Sequence, residues 1–168
     1  LVTQRLEMVR RMTSEIDEYV VELGADGRLL DLQLQEVVTG VGSDQVLLLR
    51  DYLPDSDGYE ATITVLDEAE DAALVDLLQL GQLMALASDI EGLDRPLSPR
   101  GYRLLGRVPR LPEPVVQRLI EHFGSLQKLL AASIDDLQSV DGVGEARARS
   151  VRDALSRLAE SSILDRYQ

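Results

Sequence analysis

The residues best suited to chemistry lie in the stretch Asp141-Gly142-Val143-Gly144, where two glycines flank one apolar residue. A glycine has no side chain that would keep a phosphate group away from the backbone amides of a turn. We therefore predict that Gly142, Val143 and Gly144 contact phosphate oxygens through their amides. The Val143 side chain is expected to be buried and to anchor the turn.

A helical pattern follows this turn and brings basic side chains close to it. Its apolar face consists of Ala148, Val151, Leu155 and Leu158. Arg149 lies on one flank of this face, together with Glu145 and Arg152, and Arg147 lies on the other flank. A Gly-x-Gly turn between two such helices is typical of a helix-hairpin-helix motif. Arg147 and Arg149 are predicted to add positive charge beside the phosphate site, and Glu145 opposes them.

A weaker copy of the same pattern lies 32 residues upstream. Its apolar positions pair Leu105 with Leu137, Val108 with Val140, Leu111 with Val143 and Val116 with Ala148. Arg110 and Pro112 stand where the glycines would be, and proline has no N–H to offer a phosphate. This copy is predicted either to pack as a structural twin or to contact phosphate through Arg107, Arg110 and Arg118. Two copies predict a five-helix tandem domain with Ser125 to Ala131 as the connector.

Other kinds of site find little support in the sequence. The chain has no Cys and one His, His122, which argues against thiol chemistry, zinc sites of the Cys/His type and a Ser/His/Asp triad. Gly40-Val41-Gly42 has no basic residue nearby and fits the end of a helix. A calcium loop around Asp55-Ser56-Asp57-Gly58 would need carboxylates at positions occupied by Leu53 and Thr64. We assign no catalytic residue, metal site or bound cofactor to this chain.

Charge divides the chain into two parts. Residues 1–92 hold 5 Arg and 20 acidic residues, whereas residues 93–168 hold 12 basic and 10 acidic residues. Because the first part would repel a polyanion, a nucleic-acid partner belongs to the second. We predict an acidic helical bundle over 1–92 and a tandem helix-hairpin-helix domain over 93–168, with a linker at 88–98. Ser98 and Pro99 have the residue types that begin a helix and predict the start of the second domain.

The hydrophobic pattern predicts an all-α fold, since Leu, Val and Ala are abundant and Trp is absent. A first helix is expected to end at Gly24 to Gly27, and a second at Gly40 to Gly42. Their apolar faces are Met12, Ile16, Tyr19 and Leu23, then Leu30, Leu34, Val37 and Val41. Val46 to Tyr52 fits a strand or a helix, and we favour a helix. We also expect a loop at Pro54 to Gly58 and a long helix at Asp67 to Ala87.

Several stretches resemble the C-terminal region of the bacterial DNA-integrity scanning proteins, a family of diadenylate cyclases. They are Leu97 to Arg103, Ser139 to Gly144 and Leu158 to Ser162. Val20 to Gly24, followed by Asp26 to Arg28, resembles the helical middle region of the same family. The resemblance extends over essentially the whole chain. It implies a helical spine that carries a helix-hairpin-helix domain.

The resemblance also implies a function for the longer parent protein. In that family an N-terminal domain condenses two ATP molecules into cyclic di-AMP with Mg²⁺ or Mn²⁺, and the protein forms a homo-octamer. The Asp-Gly-Ala and Arg-His-Arg motifs of that domain are missing here, and the chain begins at Leu1 without Met. We therefore expect a piece of a longer protein, without cyclase activity of its own.

The partner that the resemblance implies is DNA, above all branched or junction DNA, bound without sequence specificity and thereby lowering cyclase output. No secretion signal or apolar run long enough to cross a bilayer is present, so we expect a cytoplasmic, nucleoid-associated protein without membrane contact. Two other hypotheses stay open. The chain is a structural or protein-docking helical module that joins subunits, or it belongs to a junction-processing enzyme that shares the hairpin module.

Overall fold

The computed structural model describes residues 1–53 and 56–164, and this part of the chain holds helices and turns without a strand. The all-α prediction is confirmed. Contacts between residues divide the chain into an N-terminal unit, Leu1–Pro96, and a C-terminal unit, Leu97–Gln168. The division falls inside the segment 88–98. That segment is not a plain linker, because Ile90–Leu93 forms a helical turn in which the Asp89 side chain accepts from the Gly92 amide at 2.7 Å.

The N-terminal unit is a bundle built around a leucine core. Its helices are α1 (Val2–Leu23), α2 (Arg28–Val38), α3 (Val41–Tyr52), α4 (Ser56–Glu68), α5 (Asp71–Val75), α6 (Leu77–Leu83) and α7 (Ile90–Leu93). A 3-10 turn, Gly24–Gly27, joins α1 to α2, where the sequence predicts the first helix to end. Helices α3 to α6 and the turn after α6 supply the core: Leu49, Leu53, Leu66, Leu74, Leu80 and Met84.

Helix α1 docks on this bundle through polar side chains. Gln4 Nε2 donates to the last two carbonyls of α5, both at 2.8 Å. Arg11 Nη2 donates to the Leu66 carbonyl at 2.9 Å and to the Ala69 carbonyl at 2.6 Å, at the end of α4. Carbonyls at a helix C-terminus have no partner within their own helix. Side chains of helix α1 therefore supply hydrogen-bond donors to the carbonyls at the C-terminal ends of α4 and α5.

The predicted apolar faces of the first two helices are largely exposed, contrary to expectation. Tyr19 and Val37 are 68% and 80% exposed, and α2 has no buried residue. Helical spacing predicts that an apolar face exists, but it does not say whether another part of the same chain covers it. In this chain the core forms from α3 to α6.

The long helix expected from Asp67 to Ala87 is wrong, since three shorter segments occupy this range. Glu70 and Asp76 have extended backbone conformations, and Asp76 Oδ1 accepts from the amides of Leu78 and Gln79 at 2.8 and 3.1 Å. An Asp side chain competes for backbone amides in this way and starts a new helix. The loop expected at Pro54 to Gly58 is also wrong from Ser56 onward, because α4 begins there; Pro54 and Asp55 lie outside the described residues.

The C-terminal unit contains five helices in its described part. They are α8 (Tyr102–Leu105), α9 (Glu113–Phe123), α10 (Leu126–Ala131), α11 (Ile134–Gln138) and α12 (Glu145–Leu164). The predicted connector, Ser125 to Ala131, is α10 with its capping serine. The C-terminal unit begins at Leu97, one residue before the predicted domain start at Ser98, but no helix starts at Ser98 and Pro99, because α8 begins at Tyr102. The Pro99 carbonyl instead accepts a hydrogen bond from the Leu126 amide at 2.9 Å.

Every helix within residues 1–53 and 56–164 is too short or too polar to serve as a membrane span.

Candidate nucleic-acid interface

The second hairpin, residues 139–144, joins α11 to α12 and is anchored by buried apolar side chains. Helix α11 starts at a capping box in which Ser133 and Asp136 exchange hydrogen bonds. The bonds that Asp136 accepts from the Ser133 hydroxyl and amide lower the pKa of its carboxyl. Leu137 is fully buried, and Val140 and Val143 are each 5% exposed. The Val143 side chain therefore anchors the hairpin, as its sequence position predicts.

The turn at Gly142 favours glycine. Its φ of +82° lies in the left-handed region, which disfavours residues with a Cβ. The turn closes where the Val143 amide donates to the Val140 carbonyl at 3.0 Å. That amide is therefore engaged within the hairpin, which Val143 helps to shape, and its contact with a phosphate stays a prediction.

Free amides remain on both sides of Val143. The Gly144 carbonyl accepts from the Ala148 amide at 3.0 Å, so Gly144 occupies the N-cap position of α12. The amides of the first turn of a helix have no acceptor within that helix, and they carry the positive end of its dipole. In the part of the chain that the structure describes, the Gly142 and Gly144 amides also have no acceptor. Both glycines are exposed.

Two arginines from different helices converge on the turn. Arg147, on α12, donates from Nη1 to the Gly142 carbonyl at 2.7 Å. Arg118, on α9, donates from Nε to the neighbouring Asp141 carbonyl at 2.8 Å. A Cβ built at position 142 would lie 2.7 Å from Arg118 Nη2, so this guanidinium packs against the glycine itself. A guanidinium has five N–H donors, so each arginine retains donors for an anion.

Other charged side chains near the second hairpin are arranged less favourably. Arg149 forms an ion pair with Glu145, one turn away on α12, and both side chains are exposed. The Asp141 carboxylate, 94% exposed, lies 4.0 Å from Arg118 Nε. Exposed ion pairs are weak, so Arg149 keeps most of its freedom to reach another anion.

The first hairpin, residues 107–112, repeats the backbone of the second hairpin. The Leu111 amide donates to the Val108 carbonyl, and the Val116 amide to the Pro112 carbonyl, at 3.4 and 3.1 Å. These bonds correspond, 32 residues earlier, to the bonds made by Val143 and Ala148. Arg110, the counterpart of Gly142, has a φ of +60°. Arg107 and Arg110 are both exposed on this hairpin.

The described residues contain no group of three or more His, Asp or Glu side chains that could hold a metal ion. His122 lies in the last turn of α9, where its ring meets the edge of Phe123 with the ring centres 4.8 Å apart. Helix α9 then ends at Gly124, which has a left-handed conformation.

Comparisons with known proteins match the N-terminal and the C-terminal part of the chain to two different family models. Residues 1–92 match a family model described as the DisA bacterial checkpoint controller linker region, and residues 108–164 match a model of the helix-hairpin-helix motif. The chain belongs to the DisA family. Proteins named "DNA integrity scanning protein DisA" from Streptomyces coelicolor and Frankia alni are 57% identical to it over 99% of the chain. The one from Acidothermus cellulolyticus is 58% identical over the same share.

The chain spans about half the length of these DisA relatives, between 46% and 47%. The linker match ends at residue 92, within the helical turn Ile90–Leu93. The hairpin match begins at Val108 and covers both Gly142 and Gly144, with Arg118 and Arg147 between its ends.

The position of Arg118 beside the second hairpin could not be predicted from the sequence. Sequence spacing groups Arg118 with the first hairpin, together with Arg107 and Arg110, whereas its hydrogen bond reaches the second hairpin across 23 residues. No local sequence pattern indicates such a contact, because it depends on how α9 packs beside Gly142 of the second hairpin. The site thus combines Gly142 and Gly144 with arginines from both repeats.

Arg152 is the arginine of α12 that supports the fold most directly. Its Nη1 donates to the Leu130 and Ala132 carbonyls, at 3.0 Å each, where α10 ends. We expect Arg152→Ala to lower the free energy of unfolding by about 1–2 kcal/mol, because two partly buried carbonyls lose a charged donor. Urea denaturation would measure this loss. Arg157→Ala is the matched control, because the Arg157 side chain is exposed and donates to the Asp153 carbonyl of its own helix at 3.3 Å. A loss no larger than that of the control would contradict the structural role of Arg152.

Proposed function

We propose that this chain is the non-catalytic DNA-binding and regulatory region of a DNA-integrity scanning diadenylate cyclase. The observation that carries the proposal is the second hairpin, where exposed glycine amides and the guanidinium groups of Arg118 and Arg147 meet. Phosphate oxygens are bound by such combinations of bare amides, a helix N-terminus and arginines. The names of the DisA relatives and the helix-hairpin-helix match support the same ligand.

The contact proposed here is with the sugar-phosphate backbone. Contacts from backbone amides and arginines to phosphate oxygens fix the position of the DNA and carry no sequence information. Binding is therefore independent of sequence. We propose that branched or junction DNA is preferred, since the relatives are named for scanning DNA integrity.

The regulatory part of the proposal concerns the longer protein. DNA bound at the hairpins would change the output of cyclic di-AMP from two ATP molecules in an N-terminal cyclase domain, with Mg²⁺ or Mn²⁺ bound there. The acidic N-terminal unit would connect the two functions within a homo-octamer, in the cytoplasm beside the nucleoid.

The test of the proposed function is a titration of the 168-residue chain with duplex, forked and four-way DNA at several salt concentrations. The logarithm of the binding constant should fall linearly with the logarithm of the salt concentration, because phosphate contacts release counterions. Binding of all three DNA forms with a preference for the branched ones supports the proposal. Absence of binding at low salt, or binding without salt dependence, would refute it.

Single arginines should alter the salt dependence in a characteristic way. We expect Arg147→Ala or Arg149→Ala to weaken binding similarly for every sequence and to reduce the slope of the log–log plot by about one. The control is Arg157→Ala, which removes the same charge roughly 15 Å further along α12. The slope of the control should equal that of the wild type. An equal change in the control would mean that only net charge matters.

Cyclase activity should be absent from this chain alone. With ATP and Mg²⁺ or Mn²⁺, we expect no cyclic di-AMP above a blank, because no residue here matches the nucleotide-binding motifs of the family. Chromatography of the reaction products measures this directly. Turnover that follows the protein through purification would show that the reaction is carried by these residues.

A second candidate function is the joining of subunits. The observation that favours it is the exposed apolar surface of α1 and α2, where Val21, Leu29 and Leu32 are between 65% and 79% exposed. Exposed apolar patches of this kind mark protein-protein contacts. Sedimentation of the chain with and without Val21→Lys and Leu32→Lys would test it. An association that these substitutions abolish, without change in DNA binding, would assign the surface to assembly.

A further inference from the structure

Helix α1 buries polar residues and exposes apolar ones. Its buried residues are Thr3 and Glu7. With a turn of about 100° per residue, the side of the helix opposite this pair is occupied by apolar side chains. These are Val9, Met12, Ile16, Tyr19 and Leu23, which are between 39% and 68% exposed and which we call the outer stripe of α1. They follow one another at alternating spacings of three and four residues, the spacing with which one helix packs along another.

A pocket lies beside the outer stripe, between α1 and α5. It has a volume of about 180 Å³ and is lined by Met8 and Met12 of α1 and by Leu74 and Val75 of α5. Sites for small molecules usually enclose about 300–1,000 Å³, so this pocket fits a single apolar side chain better than a cofactor. Methionine side chains adapt their shape to such a guest.

The rim of the pocket and the surrounding sequence are acidic. Glu15 and Asp71 lie at the rim. Asp71 forms an ion pair with Arg11, whereas within the described residues no ion pair engages Glu15. From Met12 to Leu49 the sequence holds eight acidic residues and a single basic one, Arg28. A second copy of this surface would bring like charges together, which is costly, whereas a basic partner would supply the opposite charge.

We propose that the outer stripe and the pocket form a docking surface for a basic amphipathic helix of a partner protein. The apolar side of that helix covers the outer stripe, one of its side chains enters the pocket at Met12, and a Lys or Arg beside it faces Glu15. Val21, Leu29 and Leu32, which favour the joining of subunits, are not part of this surface. The docking surface also shares no residue with the hairpins, so it is independent of the proposed DNA binding.

The experiment measures the binding of two synthetic helical peptides to the 168-residue chain by fluorescence anisotropy. Both peptides carry Leu at alternating spacings of three and four residues, and the positions beside the Leu stripe are Lys in one peptide and Glu in the other. At low salt the Lys peptide should bind at least about tenfold more tightly than the Glu peptide. Added salt should narrow this difference, because it screens exposed charges.

Variants of the chain separate docking from general attraction between opposite charges. Ile16→Asp adds a negative charge in the middle of the outer stripe, so general attraction would strengthen binding of the Lys peptide. Docking predicts the opposite, a loss of about tenfold or more, because a carboxylate would be buried against the apolar stripe. The matched control is Ile90→Asp on α7, where Ile90 is 72% exposed, and its affinity should not fall. Glu15→Gln should weaken binding about two- to threefold and reduce its salt dependence.

The fold should tolerate Ile16→Asp, since Ile16 is already 44% exposed, and an unchanged circular dichroism spectrum would verify this. Absence of peptide binding, equal binding of the two peptides, or tighter binding by Ile16→Asp would each overturn the inference. Self-association of the chain that Ile16→Asp abolishes would assign the outer stripe to a second copy instead. Junction DNA should bind Ile16→Asp with wild-type affinity, so that failure of this inference leaves the proposed function standing.

Discussion

Replacing Gly144 with Asp is expected to abolish detectable DNA binding while the C-terminal unit stays folded. Gly144 stands at the N-cap of α12, and an Asp side chain there accepts hydrogen bonds from the first amides of the helix. Those are the amides that a phosphate would use. The carboxylate also repels the phosphate, so the loss should be about 2 kcal/mol or more, or ~30-fold in affinity.

The fold should tolerate this substitution. A Cβ at position 144 meets no atom within 4 Å, and the φ of Gly144 lies outside the left-handed region. Asp is also a better N-cap than Gly by a few tenths of a kcal/mol. We therefore expect a thermal midpoint equal to or slightly above that of the wild type, together with an unchanged circular dichroism spectrum.

The controls are Gly144→Ala and a parallel pair at Gly142. Gly144→Ala adds a methyl group without charge and should weaken binding far less than Asp. At Gly142, both Ala and Asp should cost stability, about 1–2 kcal/mol for the left-handed backbone alone, and both displace Arg118. A folded Gly144→Asp variant that binds junction DNA with wild-type affinity would exclude the second hairpin as the contact surface.

The C-terminal unit could be predicted well from sequence because its information is local and repeated. The 32-residue offset places Leu105 on Leu137 and Val108 on Val140, and all four side chains are buried. When a pattern occurs twice, the structure predicted for one copy must also fit the other copy, which makes the prediction more secure. The five helices and the two turns followed from this.

The N-terminal unit was harder to predict because its decisive interactions are polar, and those of Gln4 and Arg11 join residues that are distant in sequence. No hydrophobic pattern shows that Asp76 would stop a helix by capping the next one, or that Gln4 and Arg11 would bind the ends of α5 and α4. Periodicity likewise predicted the apolar faces of α1 and α2 but not their exposure. The same limit applies to Arg118, whose partner lies on another repeat.

Glu7→Ala is expected to destabilise the N-terminal unit by about 3 kcal/mol or more. The Glu7 carboxylate is fully buried and accepts hydrogen bonds from Arg10 and Arg11 at 3.2 Å, and from Gln45 of α3 at 3.0 Å. Removing one partner of a buried ionic group leaves the others without compensation. Arg11 would also lose the anchor that directs it to the end of α4.

Urea denaturation followed by circular dichroism measures this effect, and hydrogen exchange assigns it to a unit. The protection of amides in α1 and α3 should fall, while that of α9 and α12 should not. Glu18→Gln is the matched control, because Glu18 is an exposed carboxylate on the same helix. Equal stabilities of Glu7→Ala and the control would show that the buried carboxylate does not hold α1 in place.

The contribution of Glu7 should also depend on pH, with a sign that follows from its pKa. Burial alone would raise the pKa of Glu7, but the hydrogen bonds from Arg10, Gln45 and Arg11 outweigh burial and lower it. A carboxyl whose pKa is lowered by folding stabilises the folded state above its unfolded pKa, near 4.5, and this stabilisation is lost as the pH falls towards the folded pKa. The neutral isostere Glu7→Gln lacks this titration. The difference in unfolding free energy between wild type and Glu7→Gln should therefore be constant from about pH 6 to 8, because this range lies roughly two pH units or more above the unfolded pKa. The difference should shrink below pH 4.5. A difference that stays constant into acid would mean that the hydrogen bonds to Glu7 do not favour its charged form.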